Sequence, residues 1–299
     1  MKISIISTNY YMSGSYVNFL DVLHHLIKNH ETTFYYTQLD KNGFWLPHMI
    51  EKTRRNYELG NRMKLYGNVW IKDDIVITDF RGLVICHDWG IPIICSKLIV
   101  MDSVELSYHL NKTDGAPHWF DCDFSYDTEI YKYLDNHECD EISFLMPGVN
   151  IDPFKQKYPD LNCKEFYKKI NYEALSTVKC RNNGRFCYRT DKPNLIFKGL
   201  ELVDIYDNLD ENETPLFDYR GFIYHRRKRL MYWEQFGRLI FEYLMLGKEV
   251  RFAIDPFSVH DGLVDYINHY NIEFDDKRHV ITKQDDLINR MSEDYNLWD

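Results

Sequence analysis

Two glutamates eight residues apart lie in a segment that is otherwise rich in apolar residues. Glu234 precedes a helix predicted over Phe236 to Leu246, and Glu242 falls inside that helix between large apolar side chains. A glutamate on a helix is usually solvated, but the pattern around Glu242 indicates burial. A buried carboxylate needs hydrogen-bond donors, and the two hydroxyls of a ribose would supply them. The pattern therefore favours a nucleotide-binding role for Glu242.

Basic residues form two groups before this helix, although the chain carries a formal net charge of -10. The first group lies at the end of a predicted strand and the start of a predicted helix, where a pyrophosphate would bind well. It consists of Arg185, Arg189, Lys192 and Lys198. The second group is the run 225–229, which contains Arg226, Arg227 and Arg229. Most such runs are solvated surface, and the functional alternative is a site for an anionic ligand or acceptor.

Two loops in the first half of the chain follow predicted strands, and in open α/β sheets ligands bind beyond the carboxyl ends of strands. Gly14, in a Ser-Gly-Ser turn, would let the backbone approach a diphosphate or a sugar, although such a turn is most often only a helix start. Asp102 and Glu105 follow a strongly apolar strand. Asp102 therefore either caps a helix or acts as a catalytic carboxylate, and the sequence leaves both roles open.

Alternating strand and helix patterns predict that parallel α/β units position these residues. The predicted strands are 2–7, 32–37, 74–79, 91–95, 98–101, 142–146, 185–188, 221–224 and 250–254, and the predicted helices are 16–29, 194–209, 236–246, 259–270 and 284–296. The pattern stops near Phe154 and restarts after a polar stretch. We therefore predict two domains, 1–155 and 156–299, with the last helix able to pack back on the first domain.

Composition excludes several classes of protein. No stretch approaches the roughly 20 apolar residues of a membrane span, and the acidic net charge disfavours a protein that coats nucleic acid. Seven cysteines without a CxxC pair predict reduced thiols in a cytoplasm and no metal site. GxGxxG and GxxxxGK[ST] motifs are absent, which argues against dinucleotide and P-loop chemistry. Only three alanines occur, a bias that indicates an AT-rich genome such as that of many bacteriophages.

Two motifs give the chain a family resemblance. MPGVNIDPF at 146–154 resembles the interdomain segment PNGVD..F of the retaining GT-B glycosyltransferases of the glycogen-synthase superfamily. WEQFGRLIFEYLMLGKEV at 233–250 is similar to their EGFGL..LEA.A.G.PV, with Glu234 and Glu242 at the positions of the paired glutamates. The resemblance implies a GT-B fold, in which two doubly wound Rossmann-like α/β domains face a central cleft. It also implies transfer of a sugar from a nucleotide-sugar donor.

The same resemblance implies roles for individual residues. Asp102 would face the reacting sugar. An Arg/Lys pair, Arg185 or Arg189 with Lys192 or Lys198, would neutralise the leaving diphosphate, and the assigned pair is Arg189 with Lys192. The implied donor-binding residues are Gly14, Arg185, Lys198, Glu234, Arg238 and Glu242. The arginine and lysine replace a divalent ion in this architecture, so the expected donor is a nucleotide sugar such as a UDP-sugar, without a metal or another cofactor.

The expected acceptor comes from a third, shorter match. VMDSVELS at 100–107 resembles the HDHSVLS stretch of the bacteriophage DNA α-glucosyltransferase, without its histidine. The best prediction is therefore a hydroxymethylated pyrimidine in double-stranded phage DNA, modified in the host cytoplasm. Its predicted acceptor-binding residues are Glu105, Arg226, Arg227 and Arg229. The alternatives are a glycan or small-molecule acceptor, or a non-catalytic nucleotide-binding protein on this fold.

Overall fold

The structure is a computed structural model of the 299-residue chain. It describes residues 1–7, 14–36, 59–65, 70–102, 106, 130–177, 180, 182, 184, 186–189, 203–206, 218–224, 236–253, 255–258, 262–292 and 297. The chain divides into two compact units. The first comprises Met1–Lys168 with Leu297–Asp299, and the second comprises Lys169–Asn296.

In the described part of the first unit, seven strands form one sheet in which every pairing is parallel. The strands are β1 (Lys2–Ser7), β2 (Glu31–Tyr36), β3 (Met63–Leu65), β4 (Ile71–Asp79), β5 (Ile93–Met101), β6 (Glu138–Met146) and β7 (Asn162–Glu165). Their order is β3-β2-β1-β4-β5-β6-β7. The first six strands thus have the doubly wound order, and the unit is a Rossmann-like α/β fold whose switch point lies between β1 and β4.

Helices connect these strands and cover the sheet. They are α1 (Gly14–Ile27), α2 (Phe80–Asp88), α3 (Ile130–Leu134) and α4 (Gly148–Lys157). The carboxyl halves of the central strands are buried continuously, as expected for strands covered on both faces. Helix α2 starts directly from β4, because the Asp79 side chain caps it by accepting a hydrogen bond from Gly82 N at 2.8 Å.

Gly82 lets α2 approach β4 closely, and replacing it should therefore destabilise the first unit. A Cβ at Gly82 would lie 1.9 Å from Oγ1 of the fully buried Thr78. We expect Gly82→Ala to lower the free energy of unfolding by about 1–3 kcal/mol, the usual cost of overpacking. Urea unfolding measures this change. Thr78→Ala should partly rescue Gly82→Ala in a double-mutant cycle, and purely additive effects would contradict the proposed clash.

In the described part of the second unit, four parallel strands form a smaller sheet. The strands are β8 (Phe186–Arg189), β9 (Val203–Tyr206), β10 (Gly221–Tyr224) and β11 (Glu249–Phe252), in the order β11-β10-β8-β9. The helices of this unit are α5 (Tyr172–Ser176), α6 (Arg238–Met245), α7 (Gly262–His269) and α8 (Gln284–Met291). Strand β9, which follows β8 in the sequence, pairs with β8 on one side. Strand β10, which comes later in the sequence, pairs with β8 on the other side, and β11 pairs with β10. The switch point of this sheet is therefore between β8 and β10.

Aromatic side chains form much of the core beneath α6 and α7. Phe236 lies 4.5 Å from Tyr266 and 5.2 Å from Phe241 between ring centroids. Tyr270 lies 5.7 Å from Phe241 on the same measure. Helix α8 packs in this unit, where the Gln284 side chain donates to the Met245 carbonyl at 2.6 Å and so satisfies the carboxyl end of α6.

Some sequence-predicted elements differ from the observed ones. The helix predicted over 194–209 is wrong at its carboxyl end, because Val203–Tyr206 forms strand β9. The two strands predicted at 91–95 and 98–101 form the single strand β5, in which the polar Lys97 pairs with Glu141 across the sheet at 3.0 Å. The predicted domain boundary after residue 155 lies within α4, and the chain passes from the first compact unit to the second between Lys168 and Lys169.

Candidate functional site

The carboxyl edge of the second sheet has the topology of a ligand site. Arg189 ends β8 and Tyr224 ends β10, and these neighbouring strands flank the switch point. Ligands of open parallel sheets bind at this position. Six predicted site residues follow these two strands in sequence but lie outside the described residues: Lys192, Lys198, Arg226, Arg227, Arg229 and Glu234. Arg185 and Glu105 also lie outside them, and only the backbone of Arg189 is described.

Helix α6 begins at the same edge, because it connects β10 to the parallel strand β11. Its N-cap is Gly237, which has φ 61° and ψ 40° and makes no side-chain capping hydrogen bond. This left-handed conformation favours glycine, and a Cβ there would lie 2.8 Å from Leu263 Cδ1. The first turn contains no acidic residue. The helix therefore presents the positive end of its dipole without an acidic side chain in that turn.

Two predicted donor-binding residues meet within α6. Arg238 Nε donates to Glu242 Oε1 at 2.6 Å, and each side chain is only 11% exposed. The sequence predicted a buried Glu242, and this burial is confirmed at 8% exposure of the whole residue. An arginine at the first helical position opposes the dipole, and the Arg-to-Glu order is the less favourable direction for an i,i+4 pair. Helix stability alone therefore does not account for a pair of charges at this buried position.

The first sheet holds the predicted catalytic carboxylate at its own carboxyl edge. Asp102 directly follows β5 and is 3% exposed. Its backbone N–H donates to the Leu145 carbonyl at 2.7 Å, and its backbone carbonyl accepts from Lys168 Nζ at 2.9 Å. The side chain of Lys168 is buried as well, at 5% exposure of the residue. A buried cation and a buried carboxylate residue thus share this edge of the sheet.

Lys168 was missed in the sequence, although a signal existed. In the sequence, apolar Phe166 and Ile170 lie two residues before and after Lys168, and the structure buries all three while the residues between them are more exposed. The period of two places Lys168 on the same buried side as its apolar neighbours. A lysine on a buried side must find hydrogen-bond acceptors, which marks it as structurally or functionally engaged.

The switch point of the first sheet adds a second residue that was not predicted. Ser7 ends β1 and is fully buried, and its Oγ has no hydrogen-bond partner among the described residues. Asp79 ends the neighbouring strand β4 and caps α2. Gly14 is the first residue of α1, the helix that follows β1. The backbone therefore brings Gly14, Ser7 and Asp79 to the same edge of the sheet as Asp102.

The described residues contain no group of three or more His, Cys, Asp and Glu side chains suited to holding a metal ion. Of the helices in the described ranges, none combines the length and apolar character needed to span a bilayer.

Comparisons with known proteins give little further information. No family model matches the sequence, and no curated protein does. One solved structure that is similar is that of Phytolacca americana UGT2 complexed with UDP-2fluoro-glucose and pterostilbene. Its TM-score is 0.27 at 10% identity, with 63% of this chain and 59% of that chain covered. This chain therefore aligns with less than two thirds of the UGT2 chain. The TM-score is too low to indicate a shared fold, and the strand order alone defines the Rossmann-like fold of the first unit.

Proposed function

We propose that the chain is a glycosyltransferase that binds a nucleotide-sugar donor at the carboxyl edge of its second sheet. The main support is the buried Arg238–Glu242 pair at the start of α6, beside the switch point between β8 and β10. A ribose and a diphosphate together match this pair, because a carboxylate accepts hydroxyl protons and a guanidinium binds phosphate oxygens. The motif resemblance in this helix supports the same assignment, and the proposal includes a GT-B arrangement of the two units.

In this proposal, binding and charge stabilisation provide most of the catalysis. Glu242 accepts hydrogen bonds from the ribose hydroxyls through the acceptor sites that Arg238 leaves open on the carboxylate. The amides at the start of α6, with Arg189 and Lys192, stabilise the negative charge that develops on the diphosphate as the bond to the sugar breaks. Asp102 acts on the reacting sugar, with Lys168 fixing the position of its main chain. The proposed outcome is retention of anomeric configuration.

The proposed acceptor is a hydroxymethylated pyrimidine in phage DNA, bound by Glu105 and by the arginines at 226, 227 and 229. A base in a duplex would have to leave the stack to reach the sugar. A glycan or small-molecule acceptor is the alternative within the same enzyme class. A non-catalytic nucleotide-binding protein is the alternative outside it.

A thermal-shift panel tests donor binding. Nucleoside diphosphates and nucleotide sugars of each base are added to the full chain, and the unfolding midpoint is followed. A true donor at 100 times its Kd should stabilise the protein by about 2.7 kcal/mol. We expect a diphosphate and its sugar nucleotide to shift the midpoint, whereas the free nucleoside should not. A panel without any shift would contradict the proposal.

Transfer of a labelled sugar tests the acceptor separately. Unmodified, hydroxymethylcytosine and hydroxymethyluracil DNA are offered to the wild type and to the triple variant Arg226→Ser/Arg227→Ser/Arg229→Ser. The variant should lose transfer to modified DNA but retain donor hydrolysis, because phosphate contacts position only the acceptor.

Each lost phosphate contact should also lower the salt slope of DNA binding by about one unit. Arg220→Ser is the matched control, since Arg220 is an exposed arginine of the same unit paired with Glu249. If a glycan accepts sugar and no DNA does, the DNA acceptor is wrong while the glycosyltransferase assignment remains.

A further inference from the structure

Two cysteines face each other in the first sheet, at the end opposite to Asp102. Cys95 in β5 pairs directly with Cys139 in β6, and paired residues of neighbouring parallel strands point to the same face. Their sulfur atoms are 3.4 Å apart, with the Cys95 S–H donating to Cys139 Sγ. Neighbouring strands lie about 4.8 Å apart, which is within the Cα separation that a disulfide spans. Side-chain rotation would therefore bring the sulfurs into bonding distance without backbone movement.

The two thiols differ in exposure and acidity. Cys95 is only 7% exposed, whereas Cys139 is partly exposed. The hydrogen bond from Cys95 lowers the pKa of the Cys139 thiol, although burial opposes this shift. The same hydrogen bond, together with burial, raises the pKa of the Cys95 thiol. Cys139 is therefore the more accessible thiol and the better nucleophile, and Cys95 is placed to react second.

We propose that Cys95 and Cys139 are a reversible oxidation site, converted to an intramolecular disulfide by a low-molecular-weight disulfide. The Cys139 thiolate attacks one sulfur of the oxidant, which forms a mixed disulfide and releases one thiolate. Cys95 then loses its proton and attacks Cys139 Sγ, which releases the second thiolate. Each released thiolate takes up one proton, so two protein thiols are oxidised while one small disulfide is reduced to two thiols.

The cysteine pair is far from Asp102 within the first sheet. Cys95 precedes Asp102 by seven positions along β5, which corresponds to about 23 Å of strand at 3.3 Å per residue. The cross-link joins residues 44 positions apart and would close the segment that contains Asp102 into a covalent loop. Oxidation would therefore tie β5 to β6 at the end of the sheet opposite to Asp102.

Peptide mapping of the oxidised protein tests the proposal. The full chain is incubated with oxidised glutathione, remaining thiols are alkylated, and the digest is analysed by mass spectrometry. We expect loss of two free thiols and a dominant peptide that links Cys95 to Cys139, both reversed by a reducing agent. The wild-type protein alone gives this result, so the test does not depend on a variant that folds. Glutathione attached to the exposed Cys180 without any Cys95–Cys139 cross-link would overturn the proposal.

Three variants test the order of attack. In Cys95→Ser, glutathione should accumulate on Cys139, because no second thiol resolves the mixed disulfide. In Cys139→Ser, Cys95 should remain unmodified. Cys163→Ser is the matched control, since Cys163 is also 7% exposed but lies outside the pair, and its cross-link yield should equal that of the wild type. Equal glutathione uptake by Cys95→Ser and Cys139→Ser would contradict the assigned order.

Discussion

Glu242→Gln is expected to weaken nucleotide-sugar binding about 10-fold to 100-fold, because hydrogen bonds to a charged group contribute about 1.5–3 kcal/mol. Glutamine keeps the shape of the side chain but loses the charge that accepts the ribose hydroxyls.

The same substitution should also affect stability. The sequence alone predicts that Glu242→Gln leaves the fold unaffected, but the 2.6 Å hydrogen bond from Arg238 to Glu242 changes that expectation. Breaking a buried ion pair costs about 3–5 kcal/mol. We expect the free energy of unfolding to fall by about 3 kcal/mol, at the lower end of that range, because the glutamine carbonyl still accepts a hydrogen bond from Arg238. Calorimetry measures the affinity, and urea unfolding measures the stability.

A double variant separates the structural role of the pair from its role in binding. Arg238→Met/Glu242→Leu removes both charges, and apolar replacement of a buried ion pair is often neutral or stabilising. We therefore expect this variant to regain most of the lost stability while donor binding stays weakened. A double variant that binds the donor as the wild type does would make the pair purely structural.

The exposed pair Arg220–Glu249 provides the matched control. It has the same residue types and a similar N–O distance of 2.7 Å, but its side chains are 48% and 54% exposed. Solvent screens such a pair, so Glu249→Gln should change the free energy of unfolding by less than about 1 kcal/mol. It should leave donor affinity unchanged. Equal effects of Glu242→Gln and Glu249→Gln on binding would show that the proposed site is not at α6.

The sequence predicts the strands of the first unit best where both faces of a strand are buried. β1 runs from Lys2 to Ser7 as predicted, because Ile3, Ile5 and Ile6 place apolar side chains on both faces and the strand is buried from Ile3 onward. β4 and β6 begin three and four residues earlier than predicted, at Ile71 and Glu138. Their amino ends contain charged residues whose hydropathy does not differ from that of a loop. Hydrogen bonding to neighbouring strands sets those boundaries, and one sequence does not contain that information.

Short strands of the second unit are harder to recognise. Val203–Tyr206 has only four residues, and its apolar positions continue a helical spacing that starts near Leu195. Periodicity alone does not separate a strand from a helix in such a run. Pairing with β8 decides the outcome, and β8 is itself only four residues long. Local propensity is therefore overridden by partners that lie elsewhere in the sequence.

The same distinction between local and distant contacts applies to the candidate site. Glu242 and Arg238 are one helical turn apart, so a helical pattern already indicates their contact. The bond from Lys168 to Asp102 joins residues 66 positions apart, and the pairing of Cys95 with Cys139 depends on strand register. Neither contact has a local signature. Residue types and burial therefore predict which side chains are unusual, and the fold determines which of them meet.

Asp102→Asn is expected to lower kcat for donor hydrolysis about 100-fold or more, the range for loss of a group that takes part in proton transfer or charge stabilisation. Asparagine should fit, because it is close to aspartate in shape and volume and keeps the backbone hydrogen bonds to Leu145 and from Lys168. Donor affinity should stay within about twofold, since the proposed donor site lies in the second unit and calorimetry reports binding without chemistry. Hydrolysis of a labelled donor gives kcat before the acceptor is known.

Asp79→Asn is the control for Asp102→Asn, because Asp79 is also a buried carboxylate at the carboxyl edge of the first sheet, at 4% exposure. Asp79 caps α2, and asparagine caps a helix about as well as aspartate. We therefore expect Asp79→Asn to leave both kcat and stability nearly unchanged. Lys168→Met should lower kcat less than Asp102→Asn does, since Lys168 positions the Asp102 main chain and is not proposed to contact the sugar. If Asp102→Asn behaves like Asp79→Asn, Asp102 is a structural residue and another group at this edge, such as Ser7, must face the sugar.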